Sequence, residues 1–300
     1  MILKSCCVCH EQSLDNYADW HWEISGNTYR LSRCRACGSV FTNPLPDDVT
    51  LKQLYEKSFD YRWYKEHHDA KLRDCRIRIH EYRNIMGQKV LDFGGGIGYF
   101  SQAAREAGFD STTFDPFYNS ETIISDNWDT VVALHVLEHS NNPDILVEQM
   151  KNLLKPGGKL ILAVPNMLSL GDQRLGMRWV WAQPPLLHIF HFTAKGLKSL
   201  LERHNFKIIQ ISYHERWDAN IYSDVNNTRL SNIFDALWSK RPFSSFSCYR
   251  KSIASINSSR RFHDLEKAMR TYHPGNESYS ELQVAAINPE PHDDQGSCNV

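Results

Sequence analysis

Two groups of residues in this chain have the types and spacing to do chemistry. Asp92, Gly94, Gly96 and Gly98 form acid-x-Gly-x-Gly-x-Gly directly after the apolar residues Val90 and Leu91. Glycines placed so let the backbone turn sharply and approach a ligand with no Cβ in the way. The spacing Gly-x-Gly-x-x-Gly, which suits a pyrophosphate on a helix N-terminus, is not met, because Tyr99 stands where its third glycine would be. The second group is Cys6-x-x-Cys9 and Cys34-x-x-Cys37. Two such knuckles turn four sulfurs toward one ion in a closed tetrahedral site, which is the chemistry of structural zinc. Cys7 and His10 are spaced less well, but either can replace a ligand.

Elements must hold these groups in place. Val90, Leu91 and Phe93 read as a buried central strand. From Tyr99 to Ala107 a helix follows, with Phe100, Ala103, Ala104 and Ala107 on one face, and Gly108 stops it. Ser111–Asp115 reads as the next strand and ends in an acid about twenty residues beyond the first glycines, where an α/β nucleotide site sets a carboxylate on the ribose hydroxyls. Asp115 is therefore the ribose candidate. Between Asp115 and Asp129 there is room only for an abbreviated helix and strand, with Asp126 or Trp128 near an adenine. Trp128–Val136 is a further apolar strand; it carries His135 to the ligand edge of the sheet and runs into Leu137-Glu138-His139. Pro143 opens a helix, Leu154–Gly158 makes a sharp turn, and Lys159–Asn166 is the fifth strand.

Toward the N-terminus, a hairpin turning at Ser25-Gly26-Asn27 fits between the knuckles. Asp47 or Asp48 caps a helix through Leu51, Leu54 and Tyr55. A second helical pattern from Tyr64 to Ile85 repeats Leu72, Cys75, Ile79, Tyr82 and Met86 on one face. Phe59, Tyr61, Trp63 and Tyr64 before it either belong to that packing or form a lid over the ligand. The chain has 300 residues, 34 Lys and Arg against 35 Asp and Glu, and a net charge of −1, so nothing suggests wholesale nucleic-acid binding. No apolar run approaches the ~18 residues of a membrane span, and Met1–Ser5 has no signal-peptide core. The expected location is the cytoplasm, where eight cysteines are thiols or metal ligands rather than disulfides.

The stretches "LDFGGGIGYF", "FDPF", "WDTVVALHVLEHSNNP", "LLKPGGKLILAVPN" and "HIFHFTAKGLKSLLERHNF" occur in the order seen in Rossmann-like (class I) methyltransferases that use S-adenosylmethionine (SAM). With paired Cys-x-x-Cys knuckles ahead of "VFTNPLPDDVTLKQLYE", the chain resembles a bacterial subgroup with an N-terminal zinc ribbon. The resemblance spans about residues 5–213. It implies an α/β fold with a seven-stranded sheet whose last strand is antiparallel: Lys207–Tyr213 would be the sixth strand and Glu281–Ala286 the seventh. The implied organisation is a zinc ribbon over 1–43, a helical linker or lid over 44–86, a SAM-binding domain over 87–213 and 276–288, a basic helical insertion over 214–275, and a disordered tail over 289–300. Asp92, Gly94, Gly96 and Gly98 would hold the methionine side of SAM, Asp115 its ribose, and His135 would join them at the strand edge.

The resemblance says less about the acceptor. The loop over 167–192 would close on it with Trp179, Trp181, Pro184, Pro185, His188 and His191. His188 is the candidate general base; a structural histidine is the competing reading. His191 reads better as a cap on the helix after Thr193, and His139 as a strand-end hydrogen-bonder or, less well, a catalytic group. Lys240, Arg241, Arg250, Lys251, Arg260, Arg261, Lys267 and Arg270 make the insertion basic, which either solvates a helical surface or holds an acidic acceptor. Some resembling proteins methylate deoxysugar nucleotides at carbon with an added C-terminal domain for which this chain is too short. The expectation is therefore methyl transfer to a hydroxyl or amine of a small polar or acidic molecule, such as a sugar or sugar nucleotide, with no membrane or nucleic-acid partner. A non-catalytic SAM-binding module that recruits a partner, and an NAD-dependent oxidoreductase, are the alternatives; oligomeric state is not readable.

Overall fold

The structure is a computed structural model of the chain and describes residues 2–24, 27–58, 65–118, 127–169, 187–214 and 281–290. The aromatic lid residues, Asp126, the Trp179 and Trp181 loop, nearly all of the basic insertion and most of the tail lie outside the described residues.

The larger sheet contains β4 (Lys89–Phe93), β5 (Asp110–Phe114), β6 (Trp128–Leu134), β7 (Leu154–Pro165), β9 (Lys207–His214) and β10 (Glu281–Ile287). Its order is β5-β4-β6-β7-β10-β9. The pairs β4–β5, β4–β6 and β6–β7 are parallel, whereas β10 runs antiparallel to both neighbours. Six strands are present among the described residues; the place for the abbreviated strand falls largely within 119–126.

Side-chain alternation along each strand divides the sheet between two cores. Leu91, Phe93, Val131, Ala133, Leu160 and Leu162 face one way, toward α4 (Pro143–Leu153) and α5 (Ala194–Arg203). Val90, Val132, Ile161 and Ala285 face the other, toward α2 (His68–Tyr82) and α3 (Tyr99–Glu106). Both faces are covered, which is why these strands read as nearly continuous apolar runs. Truncating a fully buried leucine such as Leu91 or Leu160 costs about 2–5 kcal/mol.

The smaller sheet has the order β1-β2-β3-β8, from β1 (Leu14–Ile24), β2 (Asn27–Cys34), β3 (Val40–Asn43) and β8 (Phe190–His191). Its β1–β2 hairpin pairs Ile24 with Asn27. β8 belongs to the segment after β7, yet it pairs with β3: Val40 faces His191 and Phe41 faces Phe190. The ribbon therefore shares a core with the larger sheet. Cys6, Val8, Cys34, Cys37 and Phe41 pack in one cluster with Phe190, Phe192 and Leu197.

Local chemistry sets the helix starts. Asp47 accepts from Thr50 N at 2.7 Å and caps α1 (Asp48–Ser58). Asn142 accepts from Ile145 N at 3.1 Å ahead of α4, and Thr193 Oγ1 accepts from Gly196 N at 3.0 Å ahead of α5. The expected turn at Leu154–Gly158 is an irregularity inside β7: Trp128 already pairs with Leu154, and the register shifts before Thr130 meets Lys159. Gly157 takes φ +74° there, and its N–H reaches Asn288 O at 2.7 Å. Among the described residues no helix is long and apolar enough to cross a membrane.

Candidate functional site

The site lies where β4, β5 and β6 end. Beyond Phe93 the chain turns through Gly94, Gly96 and Gly98 at φ +71°, +55° and +90°, a region that only glycine enters freely. Space is as tight as conformation. A Cβ on Gly94 would come within 2.6 Å of Val136, and one on Gly98 within 2.8 Å of Thr113 Oγ1. Gly95, which the spacing pattern leaves unassigned, is also required, since a Cβ there would collide with the Asp92 carboxylate.

Asp92 sits beneath this loop, 2 % exposed. One of its oxygens accepts long bonds of 3.4 Å from Ser101 N and Thr113 Oγ1, so it braces the loop from below. Burial pushes its carboxyl up to about 7, against the donors that favour its charge. Asp115, at the end of β5, accepts from Gly96 N at 2.9 Å through Oδ2 and from Phe117 N at 2.9 Å through Oδ1. Its carboxylate thus lies against the glycine loop, and the exposed rings of Phe117 and Tyr118 follow it.

His135 leaves β6 at φ +56° and lies between two carboxylates. Its Nδ1 is 3.2 Å from Glu138 Oε1 and its Nε2 is 2.9 Å from Glu281 Oε2. Burial disfavours the charged ring, but the two carboxylates outweigh it and push His135 up to about 9. Arg78 reaches Glu281 with both terminal nitrogens, at 2.9 and 2.6 Å, and Asp74 with Nε at 2.8 Å. Burial works against the Glu281 charge, yet Arg78 and His135 hold its carboxyl well below the usual range. Neither Arg78 nor Glu281 was singled out by sequence reading. The signal for Arg78 was there: it falls within the apolar stripe of α2, three residues after Cys75 and four before Tyr82.

The three histidines have distinct settings. His139 Nδ1 meets the Leu187 carbonyl oxygen, and burial lowers its pKa. Its ring lies edge-on to that of His188, with centroids 4.7 Å apart, and His188 is itself buried. His191 does not cap α5, because Thr193 does; its Nε2 is buried with no hydrogen-bond partner among the described residues, and burial pushes its pKa down to about 4. Glu138, His139 and His188 each bring one ligand-type atom within 4.8 Å of the others.

The knuckle cysteines converge within the ribbon. Cys6 Sγ lies 3.8 Å from Cys37 Sγ, Cys9 Sγ lies 3.5 Å from Cys34 Sγ, and all four sulfurs lie within 4.8 Å of one another. A tetrahedral zinc with sulfurs at ~2.3 Å sets them about 3.8 Å apart, so this quartet fits the ion. Val8 N and Cys37 N point at Cys6 and Cys34 sulfurs at 3.3 and 3.5 Å, the donors a thiolate prefers. A hydrogen bond from Cys6 pushes the Cys37 thiol down to about 5. Cys7 and His10 stand apart from this group; His10 Nε2 is 2.9 Å from Asp144.

Comparison with known proteins agrees with this architecture. Residues 64–211 match the family model of a methyltransferase domain. A tRNA U34 carboxymethyltransferase of Idiomarina loihiensis is 27% identical over 166 residues, covering 44% of this chain and 49% of that protein. The mitochondrial ubiquinone biosynthesis O-methyltransferase of Dictyostelium discoideum is 29% identical over 105 residues, covering 33% of this chain and 32% of that protein. The chain thus spans about half or less of the length of the curated relatives it matches. A solved SAM-dependent methyltransferase from Archaeoglobus fulgidus has a TM-score of 0.43 and 18% identity, covering 76% of this chain and 100% of that one. Residues 64–211 belong to the methyltransferase-domain family, and the mixed sheet built around them has the Rossmann-like fold of its class I, SAM-dependent members.

Proposed function

We infer that the chain transfers the methyl group of SAM to a hydroxyl or amine of a polar acceptor. The observation that carries this reading is the glycine loop between β4 and α3 with the Asp115 carboxylate on Gly96 N, 2.9 Å away, at the ligand edge of the parallel part of the sheet. In this reading Gly94, Gly96 and Gly98 admit the methionine part, Asp92 keeps the loop in shape and sets the charge beneath it, and Asp115 turns to the ribose. His135 contributes a positive charge held between Glu138 and Glu281 beside them. The sulfonium is already a good leaving group, so the protein mainly aligns the nucleophile with the methyl–sulfur axis. A hydroxyl must also lose its proton, and in this reading the Glu138–His139–His188 cluster, whose turn follows Val136 beside Gly94, handles it. Cys6, Cys9, Cys34 and Cys37 hold a structural zinc, whose task is to fold the ribbon.

Of the acceptors, a hydroxylated small molecule fits best, because one relative is by name an O-methyltransferase of ubiquinone biosynthesis. Neither relative's name favours a sugar. A tRNA acceptor has its own support in the other relative's name and in the basic residues of the insertion, and it predicts turnover that falls steeply with salt. The test is release of S-adenosylhomocysteine (SAH) from SAM across hydroxylated, aminated and tRNA acceptors. Turnover with none of them by a protein that binds SAM would favour a non-catalytic binding module.

A further inference from the structure

The turn after β6 is stitched to the segment before β8 by two backbone ties. Ile189 N donates to Glu138 O at 2.8 Å, and the Leu187 carbonyl meets His139 Nδ1. Between those ties lies His188, which is thereby held against Glu138 and His139. A carbonyl only accepts, so His139 must carry its proton on Nδ1, and a neutral ring then keeps its lone pair on Nε2. Ring orientation by a backbone carbonyl is what metal-bound histidines use.

Glu138 is the second observation. Its side chain is wholly buried, and Oε1 is committed to His135 Nδ1 at 3.2 Å. Oε2 is also buried and has no hydrogen-bond partner among the described residues. A buried carboxylate oxygen without a partner is costly unless a cation or donor meets it. Histidine nitrogens lie near this carboxylate: one from His139 and one from His188 lie with a Glu138 oxygen within 4.8 Å of one another. Two imidazoles and a carboxylate suit a divalent cation that takes mixed nitrogen and oxygen ligands, and three protein ligands leave open positions. His135, itself held by Glu281 and through it by Arg78, fixes the Glu138 carboxylate through Oε1. The cluster also borders the glycine loop, since Val136, two residues before Glu138, packs on Gly94.

We propose that Glu138, His139 and His188 bind a divalent cation at the C-terminal edge of the sheet, and that the acceptor hydroxyl docks on an open position of that cation. This rests on the methyl-transfer reading for its chemistry but not for its ligands. A cation-bound hydroxyl loses its proton to solvent more readily. The oxygen lone pair then forms the bond to the methyl carbon, the carbon–sulfur bond breaks, and its electron pair stays on sulfur. The products are the methyl ether, SAH and one proton.

Manganese(II) is the probe, because it prefers nitrogen and oxygen ligands and leaves a four-thiolate zinc in place. The full chain with its zinc is titrated with Mn2+, and free Mn2+ is followed by electron paramagnetic resonance; SAH binding is measured by calorimetry on the same samples. The wild type should take up one equivalent. Glu138→Gln, which keeps the side-chain shape, and His188→Ala should each weaken uptake at least tenfold while still binding SAH, which shows that they fold. A wild type that binds SAH but takes up no Mn2+ overturns the cation site and leaves methyl transfer standing; so does uptake unchanged in both variants. Uptake lost in both variants by a protein that binds neither SAM nor SAH would support the cation site and end the methyl-transfer reading.

Discussion

Asp92 and Asp115 flank one glycine loop and do different work. Asp92 lies under it with its carboxyl pushed up to about 7 by burial, whereas Asp115 lies against Gly96. Between about pH 4 and 7 the unfolded chain has an ionised Asp92 and the folded chain a protonated one, so folding takes up a proton and stability falls as pH rises. Above about pH 7 both states are ionised and the full cost is present. Asp92→Asn keeps an acceptor of the same shape and removes the charge. Its advantage in stability over the wild type should widen from pH 4 to 7, by on the order of 4 kcal/mol, and then level off. Denaturant midpoints at four pH values check this; a gap that does not change with pH contradicts it. Asp115→Ala should weaken SAH binding severely, since it removes the proposed ribose acceptor and the Gly96 contact together. Calorimetry reads that loss, and unchanged affinity would end the ribose assignment.

Elements were legible in the sequence where their causes are local. The glycine loop, the stripe of Leu72, Cys75, Ile79 and Tyr82 on α2, and the antiparallel β10 all stand as spacing and resemblance led us to expect. Contacts set by distant residues were not legible. Nothing in Phe190-His191 announces a strand, because its partner is Val40-Phe41 in the ribbon. The sequence reading puts the helix cap on His191, whereas Gly196 N donates to Thr193 Oγ1 at 3.0 Å and Thr193 is the cap. Through β3 and β8 the ribbon also supports the segment that carries His188, and Thr193 Oγ1 donates to Cys37 O at 2.6 Å in the same region. Loss of the metal should therefore be felt beyond the ribbon. Cys34→Ser should release zinc and raise amide hydrogen exchange over residues 187–193 as well as over 6–37. A variant that keeps its zinc content, or loses it with exchange over 187–193 unchanged, contradicts this coupling.

Across the whole molecule, the chain Arg78–Glu281–His135–Glu138 ties α2 to β10, β10 to the end of β6, and that end to the turn beyond it. Arg78 and Glu281 are 203 residues apart, and no local pattern could pair them. Both are nearly inaccessible, so removing Arg78 takes two charged donors from the buried Glu281 carboxylate and leaves it to His135. Arg78→Ala should cost about 3–5 kcal/mol, read as a shift in denaturant midpoint, and a loss below about 1 kcal/mol would show that water replaces the guanidinium there. The same chain of charges borders the glycine loop, which links stability of the sheet to the shape of its ligand edge. The central claim is that this edge takes SAM. Calorimetry of the intact chain with SAM, SAH and NAD tests it most directly: SAM and SAH should bind near one per chain and NAD should not. Binding of NAD with no binding of SAM or SAH would contradict the account and return the glycine loop to dinucleotide chemistry.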